Sequence, residues 1–174
     1  MDFKELGSTP IYHGRVFDVR QDQVRLPSGR VVQLDIVSHP GAVVLVPVDA
    51  QGYLWFVRQY RHAVGKDLLE LPAGTLETGE DIEACAYREL REEIGMSAGK
   101  LQKIGEFYPA PGYSTECLYI FLASELRPDP LPGDDDEFIQ VERFPADQAF
   151  ALAQGGSILD AKTLAALLLA RGYL

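Results

Sequence analysis

Carboxylate side chains are concentrated in one part of the chain, where nine of the 26 acidic residues lie between Asp67 and Glu93. At 100° per residue, Glu89, Glu92 and Glu93 fall on one side of a helix, which also carries small and apolar side chains. Like charges at this spacing repel, and partial burial raises the cost. A hard divalent cation with oxygen ligands would offset that repulsion. The pattern therefore indicates a cation site, and the alternative is a solvated charged face of a surface helix.

A wider spacing around these glutamates favours the cation site. Residues 74–96 run from a glycine, through an isolated glutamate, to an Arg-Glu-Leu-x-Glu-Glu-x-Gly segment followed by an apolar residue. The constrained positions are Gly74, Glu80, Arg88, Glu89, Leu90, Glu92, Glu93, Gly95 and Met96. This frame resembles the Nudix box, G-x5-E-x7-R-E-U-x-E-E-x-G-U with U apolar, at every specified position.

The resemblance implies a fold, a reaction and a set of metal-binding positions. The implied fold is a mixed β-sheet sandwiched between α-helices, and the implied reaction is hydrolysis of a nucleoside diphosphate linked to another group. Mg²⁺ or Mn²⁺ would neutralise charge on the phosphate oxygens and activate a water. The positions that match the family's metal ligands are Glu89, Glu93, Glu92 and the backbone carbonyl of Ala73, and Glu92 is also a candidate catalytic residue. Glu80 and Arg88 match positions that orient the site, and a structural ion pair is the alternative for them.

Two further segments resemble the ADP-ribose pyrophosphatase branch of this family. Pro111 lies 15 residues past Met96, in a Pro-Gly-Tyr-x-x-Glu loop that ends at Glu116. The segment 57–61, Val-Arg-Gln-Tyr-Arg, is followed at 69–74 by Leu-Glu-Leu-Pro-Ala-Gly. Neighbouring sugar-nucleotide hydrolases share these segments, so they narrow the substrate to a class.

Catalytic and phosphate-binding roles follow from the same resemblance. Glu116 matches a loop glutamate regarded as the general base or as an extra metal ligand, and a surface glutamate is the alternative. Arg58 and Arg61 match arginines that hold phosphate or sugar oxygens, which suits a planar bidentate donor. Surface arginines near a strand end are the alternative for both.

The rest of the substrate would need hydrogen-bond acceptors and a flat apolar partner for the base. Glu77 and Asp35 could accept hydrogen bonds from hydroxyl or amino groups. Phe17, Tyr108 and Tyr113 could stack on adenine, and ordinary packing is the alternative for each.

Composition excludes several other classes of protein. The chain has 174 residues, 47% of them hydrophobic, and a net charge of −10, which disfavours nonspecific nucleic-acid binding. Its longest apolar stretches, 43–48 and 164–170, are far shorter than a membrane span, and the opening MDFKELGSTP does not resemble a signal peptide. Two cysteines, Cys85 and Cys117, fit buried thiols in a reducing cytoplasm.

Hydrophobic patterning predicts a mixed α/β or α+β domain. Thr78 is the expected N-cap of the central helix, and Gly95 is its expected terminator. The acidic run 134–137 is expected to be a solvated loop. Strands are predicted at 15–26, 32–36, 42–48, 53–59, 68–71, 101–108, 118–123 and 138–144, and helices at 81–94, 146–153 and 161–170.

The predicted organisation is an N-terminal hairpin, residues 1–38, followed by a Nudix hydrolase domain, residues 39–174. We expect a homodimer with residues 11–37 at the interface, because relatives of this branch commonly exchange such strands. The expected activity is cleavage of ADP-ribose or a related ADP-sugar to AMP and a sugar phosphate. The alternatives are hydrolysis of another nucleotide sugar or of a dinucleotide, and a non-catalytic module that binds ADP-ribose.

Overall fold

The structure is a computed structural model that describes residues 2–133 and 138–174, and the acidic run 134–137 lies outside the described residues. The chain divides into two compact units. Unit 1 comprises Met1–Gly41 and Tyr108–Cys117, and unit 2 comprises Ala42–Phe107 and Leu118–Leu174.

Unit 1 is built on a three-stranded antiparallel sheet in the order β1-β2-β3. The predicted hairpin is confirmed as β2 (Asp18–Arg25) and β3 (Val31–Ser38). Strand β1 (Lys4–His13) was not predicted, and its residues are all exposed. Its glycine, proline and polar residues carry no alternating pattern, so this strand depends on pairing with β2.

Among its described residues, unit 2 contains two sheets and three helices. One sheet has the order β7-β4-β9-β8, with β4 and β9 parallel, and the other has the order β10-β5-β6. The strands are β4 (Ala42–Pro47), β5 (Tyr53–Arg61), β6 (Lys66–Glu70), β7 (Ala73–Thr75), β8 (Met96–Phe107), β9 (Leu118–Pro128) and β10 (Ile139–Pro145). The helices are α1 (Ile82–Glu93), α2 (Ala146–Gln154) and α3 (Ala161–Ala170).

The fully buried strand β4 separates two hydrophobic clusters. Val43 and Leu45 pack with the buried side of α1, whereas Val44 and Val46 belong to the cluster that includes residues of α2 and α3. Successive side chains of a strand point to opposite faces, so β4 packs against helices on both sides. The predicted mixed sheet between helices is confirmed.

Two local predictions are corrected, and one short strand was not predicted. The N-cap of α1 is Asp81, not Thr78, because the Asp81 carboxylate accepts hydrogen bonds from the Glu83 and Ala84 N–H groups. Gly95, with a φ of 69°, is confirmed as the terminator of α1, but β8 begins directly after it rather than at the predicted residue 101, and it pairs with the long strand β9. The short strand β7 was not predicted and pairs with β4.

The three helices are short, with 12, 9 and 10 residues. Within the described residues, no helix has the length and apolar character needed to span a membrane.

Candidate active site

Helix α1 presents two of the box glutamates on its buried side. Glu89 and Glu93 are each 7% exposed, on the side that also buries Cys85, Ala86 and Leu90. The side chain of Glu92 is 24% exposed. The helix-face prediction is therefore confirmed for Glu89 and Glu93, whereas Glu92 lies further towards solvent.

The backbone of β7 meets these two glutamates. The Ala73 N–H donates a 3.0 Å hydrogen bond to Oε2 of Glu93. A β-carbon at Gly74 would overlap with the Glu89 carboxylate. Glycine at this position lets the strand pass closely over the acidic face of α1, so the predicted ligand positions 73, 89 and 93 are brought together.

Arg88 connects the loop before α1 to the glutamates on the helix. Its Nε and Nη2 donate to the two carboxylate oxygens of Glu80, at 2.9 and 3.0 Å. Its Nη1 donates to Oε1 of Glu89 at 2.6 Å and to Oε2 of Glu92 at 2.9 Å. The structure therefore contains the ion pair between Glu80 and Arg88 that the sequence left as one alternative.

The ionisable groups of this cluster shift one another's pKa values. The Arg88 hydrogen bonds, aided by the Glu77 N–H and opposed by burial, lower the pKa of Glu80 to about 2. The bond to Glu80, with the charges of Glu89 and Glu92, raises the pKa of Arg88. Burial raises the pKa of the Cys85 thiol, which stays protonated. Glu80 is therefore ionised, and Arg88 is charged, throughout the physiological pH range.

The donor set fits a hard divalent cation. Glu89 and Glu93 supply buried carboxylates, and both lie against the backbone of residues 73–74. Over residues 2–133 and 138–174, no three His, Cys, Asp or Glu side chains are gathered in the manner of a complete protein-built metal site. Mg²⁺ typically uses one or two carboxylates and takes its other ligands from water and substrate phosphates. Two carboxylates on one helix face are consistent with such a site.

Arg61 lies in a second charged cluster, which the sequence analysis did not predict. Its Nε and Nη2 donate to the two oxygens of Glu70 at 2.8 and 2.7 Å, and Lys162 on α3 also bonds Glu70. The Glu70 side chain is 1% exposed. Burial opposes ionisation of Glu70, but Arg61 and Lys162 outweigh it, so the pKa of Glu70 lies below its usual value. An acid within the apolar run 68–71 was the one sequence signal for this cluster.

The second candidate phosphate-binding arginine, Arg58, is also paired. Its Nε donates a 2.5 Å hydrogen bond to Oε1 of Glu142 on the neighbouring strand β10. About a third of each side chain is exposed. The structure therefore holds both arginines on β5 through carboxylates, and it does not bring Arg58 into the cluster of Arg61 and Glu70.

The remaining candidate residues are Glu77 in unit 2 and Asp35, Phe17 and Glu116 in unit 1. Glu77, in unit 2, is exposed, and its backbone bonds Glu80. In unit 1, Asp35 accepts a 3.0 Å hydrogen bond from Gln21, and Phe17 is 44% exposed with its ring 6.5 Å from that of Tyr12. Glu116, also in unit 1, is half-buried, and its N–H donates to the Ser114 hydroxyl.

Similarity to known proteins extends over nearly the whole chain. The chain is 38% identical over 169 residues to an ADP-ribose pyrophosphatase of Bacillus subtilis, covering 96% of this chain and 91% of the relative. It is 43% identical over 127 residues to an ADP-ribose pyrophosphatase of Mycobacterium tuberculosis, covering 72% of this chain and 61% of the relative. A crystal structure of an ADP compounds hydrolase superposes with a TM-score of 0.88 at 25% identity, covering 100% of this chain and 95% of that one.

Two family models match in succession along the chain. The first, described as the nucleoside diphosphate sugar hydrolase N-terminal domain, matches residues 3–33. The second, described as the NUDIX domain, matches residues 37–167 and so includes the box and the buried glutamates of α1. With the box spacing and the sheet between helices, this match confirms the resemblance, and the chain belongs to the Nudix hydrolase family.

Proposed function

We propose that the chain hydrolyses the pyrophosphate bond of ADP-ribose, or of a related ADP-sugar, to AMP and a sugar phosphate. The observation that carries this proposal is the close approach of residues 73 and 74 to the buried carboxylates Glu93 and Glu89. The similarity to ADP-ribose pyrophosphatases supports the choice of substrate.

We assign Glu89 and Glu93 as the carboxylates that hold Mg²⁺ or Mn²⁺, with Glu92 and the Ala73 carbonyl as further ligands. The bound cation supplies charge neutralisation on the pyrophosphate oxygens and lowers the pKa of a water. Arg88, held by both oxygens of Glu80, fixes the positions of the Glu89 and Glu92 carboxylates through its Nη1. Glu80 and Arg88 thus orient the site rather than react.

We assign the two arginines of β5, Arg58 and Arg61, as hydrogen-bond donors to phosphate and sugar oxygens of the substrate. Glu70 takes the Nε and Nη2 donors of Arg61, and Nη1 makes no hydrogen bond within the described residues. Arg61 can therefore donate from Nη1 while Glu70 fixes the plane of its guanidinium group. Arg58, held at Nε by Glu142, can donate from its Nη atoms in the same way.

Glu116 accepts the proton of the attacking water or holds that water in place, which is work done mainly in the transition state. We assign Asp35 and Glu77 as acceptors for hydroxyl or amino groups of the substrate, and Phe17 as the stacking partner of adenine. Their exposure supports these roles, since each can be reached by a ligand.

We further propose a cytoplasmic homodimer in which residues 1–38 form the dimerisation segment and residues 39–174 the hydrolase domain. Exposed apolar side chains in the proposed interface, residues 11–37, support the dimer, and they include Ile11, Val16 and Leu34. The two buried, unpaired cysteines support a reducing compartment.

A substrate panel with product identification tests the proposed function. With Mg²⁺, kcat/KM for ADP-ribose should exceed that for ATP, NADH and GDP-mannose by at least about tenfold, equivalent to about 1.4 kcal/mol. The products should be AMP and ribose 5-phosphate. Preference for GDP-mannose or NADH would instead identify a hydrolase of another nucleotide sugar or of a dinucleotide. Tight binding of ADP-ribose without turnover would identify a binding module.

A further inference from the structure

The loop that carries Glu116 is hydrogen-bonded to the end of β3. The Val37 N–H donates to the Tyr113 carbonyl at 2.8 Å, and the Thr115 N–H donates to the Val37 carbonyl at 3.0 Å. These two bonds extend the β3 edge with a short parallel bridge to the loop. The backbone immediately before Glu116 is thereby held against the end of β3, within unit 1.

A side-chain hydroxyl adds a second attachment, one residue before Glu116. Oγ1 of Thr115 accepts from the His39 N–H at 2.9 Å and donates to the His39 carbonyl at 3.2 Å. The neighbouring Ser114 hydroxyl accepts from the Glu116 N–H at 3.2 Å. Two adjacent hydroxyl groups therefore fix the backbone on the N-terminal side of Glu116.

His39 is itself held in place. Its Nδ1 accepts a 3.0 Å hydrogen bond from the Gly41 N–H, and Gly41 has a φ of 99°, a conformation that favours glycine. The backbone groups that Thr115 contacts therefore belong to a defined turn. Thr115 is exposed, so its side chain contributes little to the hydrophobic core. The hydroxyl therefore orders only the backbone close to it.

We propose that Thr115 is a positioning residue for Glu116, acting through its paired hydrogen bonds with the backbone of His39. The inference rests on the proposed catalytic role of Glu116. A carboxylate that holds or deprotonates water must be presented in one geometry, and small displacements of such groups are costly. Removing the Thr115 hydroxyl breaks both hydrogen bonds to His39 and loosens the loop next to Glu116, while the backbone bonds to Val37 and the Glu116 side chain stay intact.

The test compares Thr115→Val, which keeps shape but removes the hydroxyl, with Thr115→Ser, which keeps the hydroxyl. Thr115→Val should lower kcat for ADP-ribose by about tenfold to a hundredfold, with little change in KM. Thr115→Ser should restore most of that kcat. Thr9→Val is the matched control, because Thr9 is an exposed threonine of the same unit with no side-chain hydrogen bond within the described residues. It should leave kcat unchanged.

A double-mutant cycle distinguishes an effect of Thr115 on kcat through Glu116 from an effect on kcat that is independent of Glu116. If Thr115 acts through Glu116, Thr115→Val should cause little further loss of kcat in a Glu116→Gln background. Multiplicative losses in the double variant, or wild-type kcat in Thr115→Val, would overturn the proposal.

Amide hydrogen exchange across residues 108–117 gives a readout that does not need turnover. Thr115→Val should exchange faster there than the wild type, and Thr115→Ser should not. Unchanged exchange would overturn the proposal by removing its structural basis. Absence of ADP-ribose hydrolysis in the wild type would count against the proposed function, while the exchange measurement would still decide whether Thr115 orders the loop.

Discussion

The Ala73 N–H donates a 3.0 Å hydrogen bond to Oε2 of Glu93, 20 residues further along the chain. This bond joins β7 to the last turn of α1 and orients a carboxylate that is 7% exposed. Within the box, strand β7 therefore positions the Glu93 carboxylate of α1.

Gly74→Ala should sharply reduce activity, because the new β-carbon would overlap with the Glu89 carboxylate. Either the strand or Glu89 must move, and the predicted ligand geometry is lost. Metal affinity, measured by Mn²⁺ binding, should fall together with kcat. Gly172→Ala is the matched control, since nothing lies within 4 Å of a β-carbon there. Unchanged metal affinity in Gly74→Ala would contradict the proposed role of Glu89.

Glu80 should make the stability of the fold depend on pH in the acid range. Its pKa is lowered from 4.5 to about 2, chiefly by Arg88, so its stabilising contribution is complete above about pH 4.5 and is lost as the pH falls towards 2. The difference in free energy of unfolding between the wild type and Glu80→Gln should therefore narrow over this interval. In an Arg88→Met background the pH-dependent part should shrink to the contribution of the Glu77 N–H. A difference that stays constant with pH would refute the explanation.

Glu70→Gln should destabilise the fold by about 3 kcal/mol, because it removes the carboxylate that pairs two cations at a buried position. Urea unfolding measures this loss. The contrasting variant is Glu106→Gln, which breaks an exposed pair with Lys103 and should cost less than about 1 kcal/mol. Equal effects of the two substitutions would show that burial of Glu70 does not matter.

Light scattering at micromolar concentration should give about twice the 19.2 kDa mass of one chain. Leu34→Glu places a charge in the proposed interface and should shift the mass towards that of a monomer. Leu168→Glu, on α3, is the matched control, because Leu168 is 72% exposed and lies outside residues 11–37. A wild-type mass near 19.2 kDa would contradict the dimer.

How far the sequence predicts the structure depends on the range of the interactions involved. The helix α1 and its acidic face follow from local periodicity, and the box spacing identifies the family. Strand β1 does not follow from local periodicity, since it depends on pairing with β2 rather than on a pattern in its own residues.

Contacts over long separations were also outside the reach of sequence patterns. Lys162 meets Glu70 across 92 residues, and Thr115 meets His39 across 76. An acid in an apolar run draws attention to Glu70, but nothing in the local sequence identifies its partner, because such pairs come together only when the sheets and α3 have formed.

We infer that the buried carboxylates of α1 hold the metal that hydrolysis requires, and the variant Glu93→Gln is the sharpest test of this assignment. ADP-ribose turnover and Mn²⁺ affinity should be measured across a metal titration for the wild type, Glu93→Gln and the control Glu83→Gln. Glu83 is an exposed glutamate in the first turn of the same helix, and its variant should behave as the wild type. Glu93→Gln should keep the fold, bind metal more weakly and lose about 10²–10³-fold in kcat. Near-wild-type turnover of Glu93→Gln at every metal concentration would show that Glu93 is not a ligand of the catalytic metal.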